Sequence, residues 1–143
     1  MAPPVDSLLP LWVPHRPPML LLEAVLRADA QGGAALARVD PAAWYADGAG
    51  AMPAWFGLEL MAQAAAACRG RHLAAGGGAP RRGYLVAARS YACAVASFPP
   101  GALLEVRVRL ELADPSGLCG FQCEILHEQR PVASAGLRVM EQP

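Results

Sequence analysis

The sequence predicts an α+β fold in which one long apolar helix is covered by an antiparallel sheet. Three observations carry that expectation. A segment opening at Pro53 runs through Trp55, Phe56, Leu58, Leu60, Met61 and four consecutive alanines, and Gly76-Gly77-Gly78 ends it. It is apolar on almost every side, so other elements must enclose it. Leu104, Val106, Val108, Leu110 and Leu112 alternate strictly with Glu105, Arg107, Arg109 and Glu111, the pattern of a strand with one face in a core and one in water. Turn signals then cut the remaining C-terminal half into pieces of strand length.

Taken in order, residues 19 to 29 and 34 to 40 read as a hairpin about Gln31-Gly32-Gly33, and residues 41 to 50 read as a loop. The helix follows from Pro53. From Gly83 onward the chain reads as successive strands, interrupted by Pro99-Pro100-Gly101, by Asp114-Pro115-Ser116-Gly117 and by His127-Glu128-Gln129-Arg130. The last of these reads as a hairpin turn. One helix and one curling sheet form a single domain over residues 1–143, and a chain of that length buries about two-thirds of its unfolded surface.

Composition narrows the function classes. The chain is 55% hydrophobic and 17% charged, which excludes disorder and suggests that further apolar surface is covered by a partner subunit. Twelve basic and twelve acidic residues cancel, so nothing in the overall charge favours nucleic acid. The N-terminal residues lack the basic start and apolar run of a signal peptide, which implies a cytoplasmic protein with reduced cysteines. Residues 49 to 68 resemble a membrane span in hydropathy, but Pro53, Glu59 and Gln63 interrupt them, so no membrane association is expected.

Glu59 is the most informative position. It is the only charged residue between Asp47 and Arg69, on a helix predicted to be buried, where an unpaired carboxylate costs several kcal/mol. A buried carboxyl with a raised pKa beside a cleft is a natural general acid, and Gln63 lies four residues on, on the same face. His15 stands in Pro14-His15-Arg16-Pro17-Pro18, where flanking prolines fix its direction; by itself such a histidine is more often structural than catalytic. Cys119, Cys123 and His127 recur every four residues, but along a strand that step is about 13 Å, too long for a shared zinc, and no metal is expected. No phosphate-cradling glycine loop or dinucleotide fingerprint is present, so no cofactor is expected.

Three blocks resemble, in order, the dehydratases that act on 3-hydroxyacyl chains carried by acyl carrier protein. Pro14-His15-Arg16-Pro17-Pro18 is similar to that family's N-terminal Leu-Pro-His-Arg-x-Pro block. Met52-Pro53 with Glu59-Leu60-Met61-Ala62-Gln63 is similar to its central helix, and Gly83-Tyr84-Leu85 with Phe98-Pro99-Pro100-Gly101 to its third block. The resemblance implies a hot-dog fold, a long helix wrapped by a curled antiparallel sheet, with subunits paired edge to edge and sites at their interface. It implies Glu59 as a catalytic residue, with Ala54, Trp55 and Gln63 at the substrate. The implied substrate is a thioester of acyl carrier protein or coenzyme A, and the implied partner is a second hot-dog subunit, identical or different. Arg69, Arg71, Arg81 and Arg82 form a candidate basic rim for an acidic carrier.

The chain departs from the family at the other catalytic residue. The family's histidine lies fourteen residues before the glutamate, and that position here is Tyr45, within Trp44-Tyr45-Ala46-Asp47. Ala54 replaces the glycine after Met-Pro, and the resulting string is most similar to a divergent branch associated with aryl polyene pigment clusters. Dehydration needs a base for the α-proton and an acid for the departing hydroxyl, and the N-terminus of the helix near Pro53 is the candidate oxyanion donor. His15, Tyr45 and Asp47 are the candidates for the missing partner of Glu59. His15 is preferred, because imidazole is the only side chain whose ordinary pKa lies near neutrality. Two other readings stay open: a catalytically incomplete subunit working beside a complete one, and an acyl thioesterase.

Overall fold

The computed structural model describes residues 8–78 and 83–142. A short helix α1 (Leu9–Trp12) precedes the hairpin of β1 (Leu22–Asp29) and β2 (Gly32–Arg38). A two-residue strand β3 (Met52–Pro53) leads into the central helix α2 (Phe56–Ala75). Five strands follow: β4 (Gly83–Cys93), β5 (Ser97–Phe98), β6 (Leu103–Ala113), β7 (Leu118–His127) and β8 (Arg130–Glu141). Six of the strands form one antiparallel sheet in the order β1-β2-β6-β7-β8-β4, while β3 and β5 pair separately.

The enclosure expected of α2 is observed. No residue from Phe56 to Leu73 is exposed, and Leu60, Met61, Ala64 and Ala67 are fully buried. The helix starts later than Pro53 because Met52 and Pro53 pair with Phe98 and Ser97, and the N–H of Ala54 donates to Ala96 O at 3.1 Å. On its outer side α2 meets α1. A Cβ at Gly70 would stand 2.5 Å from Trp12 O, so the absence of a side chain is what lets the two helices touch.

The sheet covers the helix with the alternation read from sequence. Leu104, Val106 and Val108 are buried, with Val106 opposite Ile125 and Val108 opposite Cys123. Burial fades beyond them: Leu110 is half-buried and Leu112 is exposed, because a register shift between them breaks the alternation. The β1–β2 hairpin turns where expected. Gly32 takes φ +135°, and a Cβ there would lie against Val108 O, so only glycine fits. The β7–β8 turn places Glu128 and Gln129 at φ 51° and 67°, the left-handed pair that matches the twist of a two-residue hairpin. Cys119, Cys123 and His127 lie along β7.

The two sheet edges are β1 and β4. Tyr84, Leu85 and Val86 on β4 are exposed, an apolar run on an unpaired edge. Among the described residues, no helix is long and apolar enough to cross a membrane.

Candidate active site

His15 sits in the segment between α1 and β1, which is clamped from two sides. Arg16 folds back, donating from Nη1 to Val13 O at 2.8 Å and from Nη2 to Pro10 O at 3.1 Å. From the other side, the fully buried Gln63 of α2 accepts the N–H of Leu21 at 2.9 Å and donates to Met19 O at 2.8 Å. The segment is thereby fixed against the face of α2 that carries Glu59.

The result is a direct contact. His15 Nε2 lies 3.2 Å from Glu59 Oε1, and Gln63 Nε2 donates to the same oxygen at 2.9 Å. Oε1 is filled by these two donors, while Oε2 has no hydrogen bond among the described residues. The Glu59 side chain is 40% exposed, so the carboxylate is less buried than the sequence implied. The expected rise in its pKa is also reversed: the hydrogen bond from His15 holds the carboxyl below its ordinary range and outweighs desolvation, with Gln63 adding to the effect. Glu59 is therefore a carboxylate at neutral pH.

His15 and Glu59 open onto a cavity of about 150 Å³. Ala62, Ala65 and Ala66 of α2 form one wall, and Leu85, Phe121 and Val139 of the sheet form the other. Arg69 and Glu141 line it as well. Spacings of three and four residues carry Glu59's face along the helix to Ala62, Ala66 and Arg69, so this wall was readable from sequence. Glu141 was not, because its place depends on the register of β8.

Other candidate residues fall elsewhere. Tyr45 lines a separate groove with Trp44, Glu23 and Arg38; its hydroxyl accepts the N–H of Asp40 at 2.8 Å, and burial raises its pKa further from neutrality. Asp47 is engaged in its loop, where Oδ1 accepts the N–H groups of Ala49 and Ala51. Gln63 holds the histidine segment and Glu59 with its whole amide, leaving nothing to offer a substrate. Ala54 has both backbone groups engaged: the N–H with Ala96, the carbonyl with the hydroxyl of Tyr91 and the N–H of Gly57. Trp55 stands exposed at the helix N-terminus. Two residues of the candidate basic rim, Arg69 and Arg71, are partly buried and engaged within the subunit. Arg69 pairs with Glu141 at 3.1 Å, and Arg71 packs over Trp12 and donates to Val25 O at 3.0 Å. Arg81 and Arg82 lie outside the described residues.

A family model described as ApeP-like, ApeP dehydratase, matches residues 8–143. The chain belongs to the ApeP-like dehydratase family. Among solved structures, this ApeP-like chain is similar to the dehydratase heterocomplex ApeI:P from Xenorhabdus doucetiae, with 26% identity and a TM-score of 0.87 over 94% of this chain and 91% of that one. It also matches a hypothetical thioesterase with coenzyme A from Streptococcus pneumoniae, at 10% identity and a TM-score of 0.65 over 82% and 84% of the two chains. A variant of the phenylacetic acid degradation protein PaaI from Thermus thermophilus matches at 20% identity and a TM-score of 0.59, over 82% and 91%. At those identities the last two speak for the hot-dog fold alone. No curated protein matches the sequence. The ApeP-like chain is thus a hot-dog dehydratase-like protein, as its three sequence blocks implied.

Proposed function

We propose that the protein removes water from a 3-hydroxyacyl thioester, with His15 and Glu59 as the acid–base pair and a second hot-dog subunit completing the site. The observation that carries this reading is the 3.2 Å contact between His15 Nε2 and Glu59 Oε1 at the mouth of an apolar-walled cavity. It supplies an imidazole beside the helix glutamate although the family's usual histidine position holds Tyr45.

The elimination needs one proton taken from the α-carbon and one delivered to the β-oxygen. Glu59, ionised at rest and with Oε2 open, accepts the α-proton. His15, acting as the imidazolium, gives its Nε2 proton to the β-oxygen as the carbon–oxygen bond breaks and water leaves, and becomes a neutral imidazole. A proton then passes from the Glu59 carboxyl to the imidazole across their contact, so both groups end as they began. This reverses the roles read from sequence, where Glu59 was the acid.

The exposed β4 edge supports a partner. Leu85 lines the cavity and is 48% exposed, with Tyr84 and Val86 exposed beside it. A second hot-dog subunit along this edge would cover that apolar run and close the cavity wall. ApeI:P, the similar structure, is a heterocomplex, which favours a non-identical partner. The thioester carrier is acyl carrier protein or coenzyme A. The test is to incubate the protein, alone and with a hot-dog partner, with 3-hydroxyacyl and saturated acyl thioesters. Enoyl thioester is the expected product. Free thiol without enoyl product would assign a thioesterase, and activity that survives loss of both His15 and Glu59 would assign the chemistry to the partner.

A further inference from the structure

Two features of the chain are disfavoured where they stand, and both serve one contact. In β4, Ser90 takes φ 52°, in the left-handed region that residues with a side chain avoid. Arg89 faces Gly136 and Ala92 faces Ser134, so Ser90 and Tyr91 together oppose Ala135, a bulge in the edge strand. The extra residue reverses the alternation: Arg89 is exposed, whereas Tyr91, two positions on, is half-buried and packs against the core. In the first turn of α2, Gly57 stands where a helix disfavours glycine. A Cβ there would overlap the Tyr91 hydroxyl, so the bare position is what admits it.

The hydroxyl donates to Ala54 O at 2.5 Å. Burial, with Cys93 second, pushes the pKa of the phenol up, so it keeps its proton and stays a donor. Ala54 O already accepts the N–H of Gly57 at 3.0 Å, so Tyr91 is not needed to satisfy an orphaned carbonyl. The N–H of Ala54 donates to Ala96 O, and both backbone groups of this residue are thereby fastened to the chain between β4 and β5. Glu59 follows in the first turn of α2. Its carboxylate stands between two clamps, Tyr91 at the helix start and the contact with His15 and Gln63 on the helix face.

Resting on the dehydratase reading above, we infer that Tyr91 is a positioning residue, whose hydroxyl fixes the start of α2 so that Glu59 stays against His15 and within reach of the α-proton. Tyr91 does not line the cavity onto which Glu59 opens, so it acts through the backbone of Ala54 and not on the substrate. Small displacements of a reacting group are costly in rate, and one hydrogen bond at the root of its helix turn is enough to set them.

The test is Tyr91→Phe, which keeps the ring and removes only the hydroxyl, assembled with the hot-dog partner. Its kcat for enoyl thioester formation is expected to fall about 10-fold, with KM within about 2-fold of the unaltered value. Its unfolding temperature is expected to drop by less than about 5 °C. The Glu59 carboxyl, followed by carbon NMR, should titrate at a higher pH than in the unaltered protein, because the hydrogen bond from His15 that chiefly lowers its pKa is loosened. Gly57→Ala is the second variant: it keeps the phenol, displaces the hydroxyl from Ala54 and should reproduce both effects. An unchanged kcat, an unchanged Glu59 titration or a loss confined to KM overturns the inference. Loss of the fold in both variants overturns it as well, by assigning Tyr91 to stability alone. A shifted titration in a protein that forms no enoyl product even when unaltered would uphold the positioning of Glu59 and remove the dehydratase reading instead.

Discussion

Glu59 and Glu141 line one cavity, and the structure holds them in opposite ways. Glu59 is 40% exposed, has a histidine and an amide on one oxygen, and keeps the other open. Glu141 is 7% exposed and is held by a guanidinium and a thiol inside the wall. A group that exchanges protons with a substrate needs reach and an unoccupied atom, whereas a charge kept inside a protein needs a partner at all times. Glu59 is thus placed to meet a substrate, whereas Glu141 is held inside the protein.

The largest expected effect separates the two glutamates by activity. Glu59→Gln keeps the shape of the side chain but accepts no proton, and turnover is expected to fall by about 10³-fold with thermal stability nearly unchanged. Full turnover in that variant would remove Glu59 from the chemistry. Arg69→Met tests Glu141 by stability: it leaves Glu141 buried without its cation and is expected to cost about 3 kcal/mol in denaturant unfolding. A neutral result there would mean that Glu141 reaches water by another route.

Gln63 is buried behind Glu59. Gln63→Leu orphans the N–H of Leu21 and the carbonyl of Met19, so a loss of about 2 kcal/mol is expected. It also releases the histidine segment, and turnover should fall with it. Tyr45→Phe is the mildest change. It removes the acceptor for the N–H of Asp40 and should cost about 1 kcal/mol, with turnover nearly intact.

Glu59 also carries a pH dependence of its own. Glu59 has its folded-state pKa lowered from 4.5, so its interactions contribute stability that is present above the unfolded value and lost as pH falls through the folded one. In His15→Ala the leading cause of that lowering is gone while desolvation, which raises the pKa, remains. The Glu59 carboxyl, followed by carbon NMR, should then titrate at a higher pH than in the unaltered protein. An unchanged titration would mean that His15 does not govern the carboxylate.

Much of this was legible in the sequence, for identifiable reasons. The enclosed helix followed from an apolar run with no polar face, and the sheet from the alternation about Val106. Glu59 stood out as the lone charge in that run. The start of the helix was read three residues early because the β3–β5 pairing that claims Met52 and Pro53 is a contact between segments distant in sequence. The direction of the Glu59 shift was misread for a related reason. Burial can be inferred from neighbours along the chain, but the donors that outweigh it come from His15, reached through the fold, and from Gln63, whose amide the fold orients. Glu141 lies beyond the reach of local pattern altogether: a charged residue at the end of β8 reads as solvent-exposed until the strand's register places it beside Arg69.

In the proposed reaction His15 supplies what the family's usual histidine position, here Tyr45, does not. The most direct measurement is enoyl thioester formation from a 3-hydroxyacyl thioester by His15→Ala and Tyr45→Phe proteins, each combined with the same hot-dog partner and each checked for folding by thermal unfolding. The account predicts that His15→Ala lowers turnover by about 10²-fold or more with its unfolding temperature little changed, while Tyr45→Phe keeps most of its turnover. Intact turnover in folded His15→Ala, with turnover lost in Tyr45→Phe, would contradict it.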